Sequence, residues 1–153
     1  DIVGSVALSE RLGPAADDEM RRDHFAALRD AIAAHDGVEV KNMGDGLFAA
    51  FPSGTRAVEA AIAIQQRMRG GDVTVRVGVH VGEPVLEEGD YFGKPVAVAR
   101  RLCDAASGGQ ILVSDVVRGV SRSPEDCVDP EPRVLKGMQD ATVVWRVAWE
   151  RLA

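Results

Sequence analysis

Five valines at every second position, Val73, Val75, Val77, Val79 and Val81, alternate with Thr74, Arg76, Gly78 and His80. A side-chain period of two marks a half-buried strand, so this stretch requires a sheet with one apolar and one polar face. The segments before it narrow the sheet further. Val38 to Met43 and Leu47 to Phe51 are two strand-like runs around Gly44-Asp45-Gly46, a tip with hairpin chemistry. Ala15 to His35 carries Phe25, Leu28 and Ile32 at helical spacing, follows a Gly13-Pro14 turn and stops at Asp36-Gly37. A second helix, capped by Ser53 or Thr55, runs to about Met68 with Val58, Ala61, Ile62 and Met68 inward, and Gly70-Gly71 ends it.

With Asp1-Ile2-Val3-Gly4 read as the end of a strand whose start is truncated, the order is strand, helix, strand, strand, helix, strand. That is the split βαβ pattern of ferredoxin-like and palm-type domains. A C-terminal extension follows: a short strand near Pro84 to Leu86, a helix from about Pro95 to Ala106 and a strand at Gln110 to Val113. A short helix after Ser114 precedes strands near Val128 to Leu135 and Thr142 to Trp149. The expected fold is α+β, a βαββαβ core in one mixed, mainly antiparallel sheet with helices mainly on one face. Residues 1–153 are expected to form one domain, a size able to bury its own core.

Composition excludes several classes. The 24 acidic against 18 basic residues give a net charge of −6, which argues against a general nucleic-acid partner. The apolar runs are too short to span a bilayer and no basic, apolar leader is present, so a cytoplasmic location without membrane contact is expected. Cys103 and Cys127 lack metal-site spacing and read as reduced thiols. His24, His35 and His80 form no cluster, and His80, between valines, reads as a polar-face or packing residue. Gly70-Gly71-Asp72 reads as a helix-to-strand turn. Trp145 and Trp149 fall on one side of the last strand and read as packing residues.

The chemistry-bearing residues are individually ambiguous. An Asp-Gly tip satisfies hairpin geometry without any ligand; Asp1 at a strand end and Lys41 on a strand are equally at home in water. In a split βαβ arrangement, however, the first strand lies beside the hairpin, and Asp1 and Asp45 can converge. Mg²⁺ typically takes one or two protein carboxylates and completes its octahedron with water and phosphate oxygens.

Seven segments come in order: Asp1-Ile2-Val3-Gly4-Ser5, Lys41-Asn42-Met43-Gly44-Asp45-Gly46, Gly78-Val79-His80-Val81-Gly82-Glu83-Pro84, Gly89-Asp90-Tyr91-Phe92-Gly93-Lys94-Pro95-Val96, Ala99-Arg100-Arg101-Leu102, Gln110-Ile111-Leu112-Val113-Ser114 and Leu135-Lys136-Gly137. Over nearly the whole chain this set resembles the catalytic domain of class III adenylate/guanylate cyclases, in particular the bacterial adenylate cyclase branch. The resemblance implies that Asp1 and Asp45 bind two divalent cations, Mg²⁺ or Mn²⁺, with the Ile2 carbonyl as a further ligand. It implies that Lys41 and Asp90 select the base, Arg101 stabilises the transition state and Lys136 holds the terminal phosphates. It also implies a head-to-tail homodimer in which one subunit supplies the metal ligands and its partner the base-selecting and transition-state residues.

Hydrogen-bond chemistry then points to ATP. Adenine offers an acceptor at N1 and a donor at N6, which a donor-only Lys and an acceptor-only Asp complement; guanine reverses both. The implied reaction is attack of the ATP 3′-hydroxyl on the α-phosphorus, giving 3′,5′-cyclic AMP and pyrophosphate. One departure stands out. Four residues before the transition-state arginine the family usually has asparagine, and here the residue is Ala97. Arg100 adjoins Arg101, and helix phase gives the inward role to Arg101. The alternatives are a catalytically silent nucleotide-binding or regulatory module and a palm-type polymerase or diguanylate cyclase; the acidic surface and Asp90 disfavour the last.

Overall fold

The computed structural model describes residues 1–152. In chain order the elements are α1 (Ser5–Leu12), α2 (Pro14–Ala34), β1 (Val38–Asn42), β2 (Leu47–Ala50), α3 (Gly54–Met68), β3 (Val77–Val79), β4 (Val85–Glu87), β5 (Asp90–Phe92), α4 (Lys94–Ala105), β6 (Ile111–Ser114), α5 (Asp115–Val120), β7 (Cys127–Arg133) and β8 (Thr142–Val147). The fold is the expected mixed α+β arrangement. Strands β3, β6, β8 and β7 lie in that order, β3 parallel to β6 and the other pairs antiparallel.

The sheet is regular only in pieces. Hairpins β1–β2 and β4–β5 form separate ladders. The first hairpin is joined to the rest by Asp1-Ile2-Val3. The Ile2 amide donates to the Asp45 carbonyl (2.8 Å), the Val3 amide to the Thr74 carbonyl (2.8 Å) and the Arg76 amide to the Asp1 carbonyl (2.9 Å). The long valine strand is thus shorter than its pattern suggests: regular pairing spans Val77 to Val79, and Val75 meets Ile2 in a single antiparallel bridge.

Helices pack mainly on one face. Val58 and Ala61 of α3 and Val117 of α5 cover Val79, Ile111, Val113 and Val147, while Phe25, Leu28 and Ile32 of α2 extend the layer over Ile64 and Val75. Helix α4 lies on the opposite face, where Val98 and Leu102 pack on Leu112, Leu135 and Val144. Here Gly78 is indispensable. A Cβ at this position would lie 2.3 Å from the Cys103 nitrogen and 2.6 Å from the Ala99 carbonyl oxygen, so α4 rests on the β3 backbone with no side chain between. Trp145 and Trp149 both join the first core, as packing residues. Both cysteines are free. Among the described residues no helix is long and apolar enough to cross a membrane.

Helix α1 was not expected. Leu8 is its one buried residue, so it has no apolar stripe to signal it. The β4–β5 hairpin was foreseen only as one strand. It turns on Glu88 (φ 50°) and Gly89 (φ 77°), the paired positive dihedrals of a type I′ turn, from a sequence lacking the usual Asn-Gly.

Candidate active site

The first strand and the tip of the first hairpin meet at one corner of the molecule, where the Ile2 amide donates to the Asp45 carbonyl. The tip between β1 and β2 closes with the Met43 amide on the Gly46 carbonyl (2.9 Å) and the Gly44 amide on the Asn42 side-chain oxygen (2.8 Å). Gly44 has φ 94°, which a residue with a Cβ rarely adopts. Gly46 faces Asp1 so closely that a Cβ would stand 2.9 Å from Asp1 Oδ1. This glycine is what lets the tip lean on Asp1. The Ser5 hydroxyl donates to Asp45 Oδ2 at 2.8 Å.

The Asp1 side chain, 9% exposed, accepts from Arg76 Nη2 (2.8 Å) and Nε (3.1 Å) on Oδ2. The guanidinium balances a carboxylate that is otherwise sealed from water. The donor set fits a hard divalent cation. It consists of two carboxylates and the Ile2 carbonyl oxygen, which receives no backbone hydrogen bond from the described residues. No group of three or more His, Cys, Asp or Glu side chains suited to a metal occurs among the described residues.

Lys41 and Asp90 also come together. Strand β1 carries a bulge between Glu39 and Lys41, the kind of irregularity that re-aims a side chain. Lys41 Nζ reaches Asp90 Oδ2 at 2.9 Å, and the Tyr91 amide donates to Asp90 Oδ1 at 2.8 Å. The Lys41 hydrogen bond, with the Tyr91 amide behind it, holds the Asp90 carboxyl below the ordinary carboxylate range.

Arg101 and Lys136 line a third region, an open cleft of about 460 Å³ shared with Asp104, Glu131 and Arg133. Leu135, buried between α4 and the sheet, anchors the turn that presents Lys136. Arg100 is not among the residues that line the cleft, although it also pairs with Asp104 (3.3 Å). Ala97, one helical turn before Arg101, is exposed and offers only a methyl group.

Several residues went unremarked in the sequence. Arg76 is the permanent cation in the valine run, and that isolation was its one signal. Asp104 contacts Arg100 (3.3 Å), Arg101 (3.5 Å) and Arg76 (3.5 Å). Its spacing from Arg100 and Arg101 is that of an ordinary helix-surface pair, which conceals the link to Arg76. Ser5 gave no signal. His80 Nδ1 lies 2.7 Å from the Ser114 hydroxyl, which explains this half-buried ring without a ligand; burial, and secondarily Lys94, lowers its pKa.

Comparison with known proteins adds the following. The sequence profile of the adenylate and guanylate cyclase catalytic domain matches residues 1–145. A putative adenylate cyclase of Rhizobium meliloti is 30% identical over 155 residues, covering 95% of this chain and 26% of that protein. An uncharacterized protein of Mycobacterium tuberculosis is 35% identical over 120 residues, covering 77% of this chain and 32% of that one. The chain therefore spans about a third or less of the length of these relatives. The crystal structure of an adenylate/guanylate cyclase/hydrolase from Silicibacter pomeroyi superposes with a TM-score of 0.80 at 31% identity, covering 96% of this chain and 91% of that one. An adenylate cyclase structure from Trypanosoma brucei, in its monomeric state, shares the fold with a TM-score of 0.86 at 22% identity, covering 99% of this chain and 88% of that one.

Proposed function

Because the chain belongs to the adenylate and guanylate cyclase catalytic domain family, we propose that it is an adenylate cyclase that converts ATP to 3′,5′-cyclic AMP and pyrophosphate. The observation that carries the choice of ATP is the 2.9 Å pair between Lys41 and Asp90. Lys41 has protons to spare for adenine N1, and the ionised Asp90 accepts from the N6 amino group. GTP would instead present its N1 donor to Lys41 and its O6 acceptor to Asp90, leaving polar groups unpaired, a strong form of discrimination for such a site.

Asp1, Asp45 and the Ile2 carbonyl would hold two divalent cations, Mg²⁺ or Mn²⁺. When bound, such ions make the 3′-hydroxyl more acidic and neutralise the triphosphate. In the reaction the 3′-oxygen forms a bond to the α-phosphorus, the bond to the bridging oxygen of the β-phosphate breaks, and the hydroxyl proton passes to solvent. Arg101 answers charge growing on the α-phosphate and Lys136 charge on the departing pyrophosphate. Arg76, which neutralises Asp1, is in place to turn to phosphate oxygens once Asp1 has another cation beside it.

The complete site is a property of a head-to-tail homodimer. Asp1 and Asp45 serve the site of their own subunit; Lys41, Asp90, Arg101 and Lys136 serve the partner's site. The location is cytoplasmic, and residues 1–153 act as one catalytic domain. The exposed Ala97 supports one competing reading, a nucleotide-binding module without turnover. Incubation with ATP, and separately GTP, in Mg²⁺ or Mn²⁺, followed by assay of cyclic nucleotide, separates these. Cyclic AMP from ATP is the expected outcome; no product with either metal favours the silent module, and equal turnover of GTP refutes the base-selection argument.

A further inference from the structure

Ser5 opens α1, yet its hydroxyl does nothing for that helix. Gly4 occupies the N-cap and no side chain caps the first turn. The hydroxyl turns instead to Asp45 Oδ2 at 2.8 Å, across 40 residues of sequence. A second tether reaches the same tip from α2. Arg21 uses three donors on three partners: Nε on Asp17 Oδ2 (3.0 Å), Nη2 on the Ser9 hydroxyl (3.1 Å) and Nη1 on the Gly44 carbonyl (3.3 Å). The Ser9 hydroxyl also donates to Asp17 Oδ1 at 2.7 Å. That bond first, and Arg21 second, hold the Asp17 carboxyl below its usual range, so the strut is a charged pair locked to α1 at one end and to the hairpin at the other.

We infer that Ser5 and Arg21 are positioning residues that clamp Asp45 in its cation-binding orientation, Ser5 through the carboxylate and Arg21 through the adjoining Gly44 carbonyl. This rests on the cyclase reading of the acidic corner. A hairpin tip with two glycines has many accessible conformations, and a carboxylate on it binds an ion well only when the tip is already ordered. Ser5 consumes one oxygen of Asp45, and Oδ1 receives no hydrogen bond from the described residues. A hydrogen bond to one carboxylate oxygen that leaves the other for the ion is the arrangement by which outer groups orient a ligand, and losing such a group typically weakens metal binding about 10- to 100-fold.

The test is titration of the purified protein with Mn²⁺ alone, read by electron paramagnetic resonance as free against bound ion, alongside thermal unfolding and cyclic AMP assay. Ser5→Ala is expected to weaken Mn²⁺ binding on the order of tenfold, and Ser5→Thr, which keeps the hydroxyl, to restore most of it. Arg21→Gln should weaken it less. In an Asp45→Ala background Ser5→Ala should have no further effect. Unchanged Mn²⁺ affinity in Ser5→Ala, a threonine variant no better than alanine, or an equal loss in the Asp45→Ala background would overturn the inference. Wild-type protein that binds no Mn²⁺ would overturn it as well. Mn²⁺ binding that depends on Asp45 and Ser5 without any cyclic AMP would instead refute the activity and leave the clamp standing.

Discussion

Asp1 and Asp45 owe their places to backbone and to short side chains. Main-chain hydrogen bonds stitch residues 1–3 to the hairpin and to residues 74–76, Gly46 admits Asp1, and Ser5 pins Asp45. Arg101 and Lys136 stand in an open cleft on long side chains, with Asp104 3.5 Å from Arg101 as a loose counterion. The acidic corner is finished within one subunit, whereas the cationic cleft has charge and no substrate-shaped enclosure of its own. The difference teaches that the two regions of one protomer are ordered to unequal degrees, which is the arrangement the proposed shared sites would call for.

The largest effect comes from separating the halves genetically. Asp45→Ala and Arg101→Ala should each be inactive, and mixing them in equal amounts should restore up to about a quarter of the wild-type sites, one per mixed dimer. Failure to complement, once subunit exchange has been verified, would break the comparison by showing that both halves serve the same site. Next comes Ala97, one helical turn before Arg101. Ala97→Asn should raise kcat, by as much as about a hundredfold if the amide supplies a missing transition-state donor; an unchanged kcat would mean that another group already does this.

The smallest effect concerns the helix behind the acidic corner. His24 is 4% exposed, and neither ring nitrogen has a partner among the described residues. Burial, chiefly, lowers its pKa from 6.5 to about 4. The folded pKa lies below the unfolded one, so the unfolded chain binds the extra proton between these values. Stability is full above pH 6.5 and falls as pH drops toward 4, by at most about 3 kcal/mol at 1.36 kcal/mol per unit. His24→Leu should flatten that slope in urea unfolding measured from pH 7.5 to pH 4.5. An unchanged slope would assign the pH dependence to other groups.

Much of this was legible in the sequence, and for identifiable reasons. The hairpin, the capped α3 and the inward residues of α2 follow from local periodicity and turn chemistry, which packing did not override. Asp1, Asp45, Lys41 and Asp90 stood in motifs whose order could be read. Helix α1 could not, since its burial rests on Leu8 alone. Arg76 alternated with valines like any solvated strand residue, although it closes on Asp1 at 2.8 Å. Val73 to Val81 promised a long strand, but its first half pairs irregularly, with Asp1-Ile2-Val3 on one side and the Gly109 amide on the other, and its regular ladder starts at Val77. Long-range partners of this kind leave no trace in spacing.

Gly78 carries one more consequence. Where it lies, the backbone of α4 touches the backbone of β3. Arg76 leaves the chain two residues before that seam and Arg101 leaves it between the seam's two α4 contacts, Ala99 and Cys103, so the offset between their backbones is set by main chain against main chain. Side-chain repacking elsewhere cannot tune it. In the proposed dimer, closing one site would therefore have to move the main chain that carries both cations, and not their side chains alone.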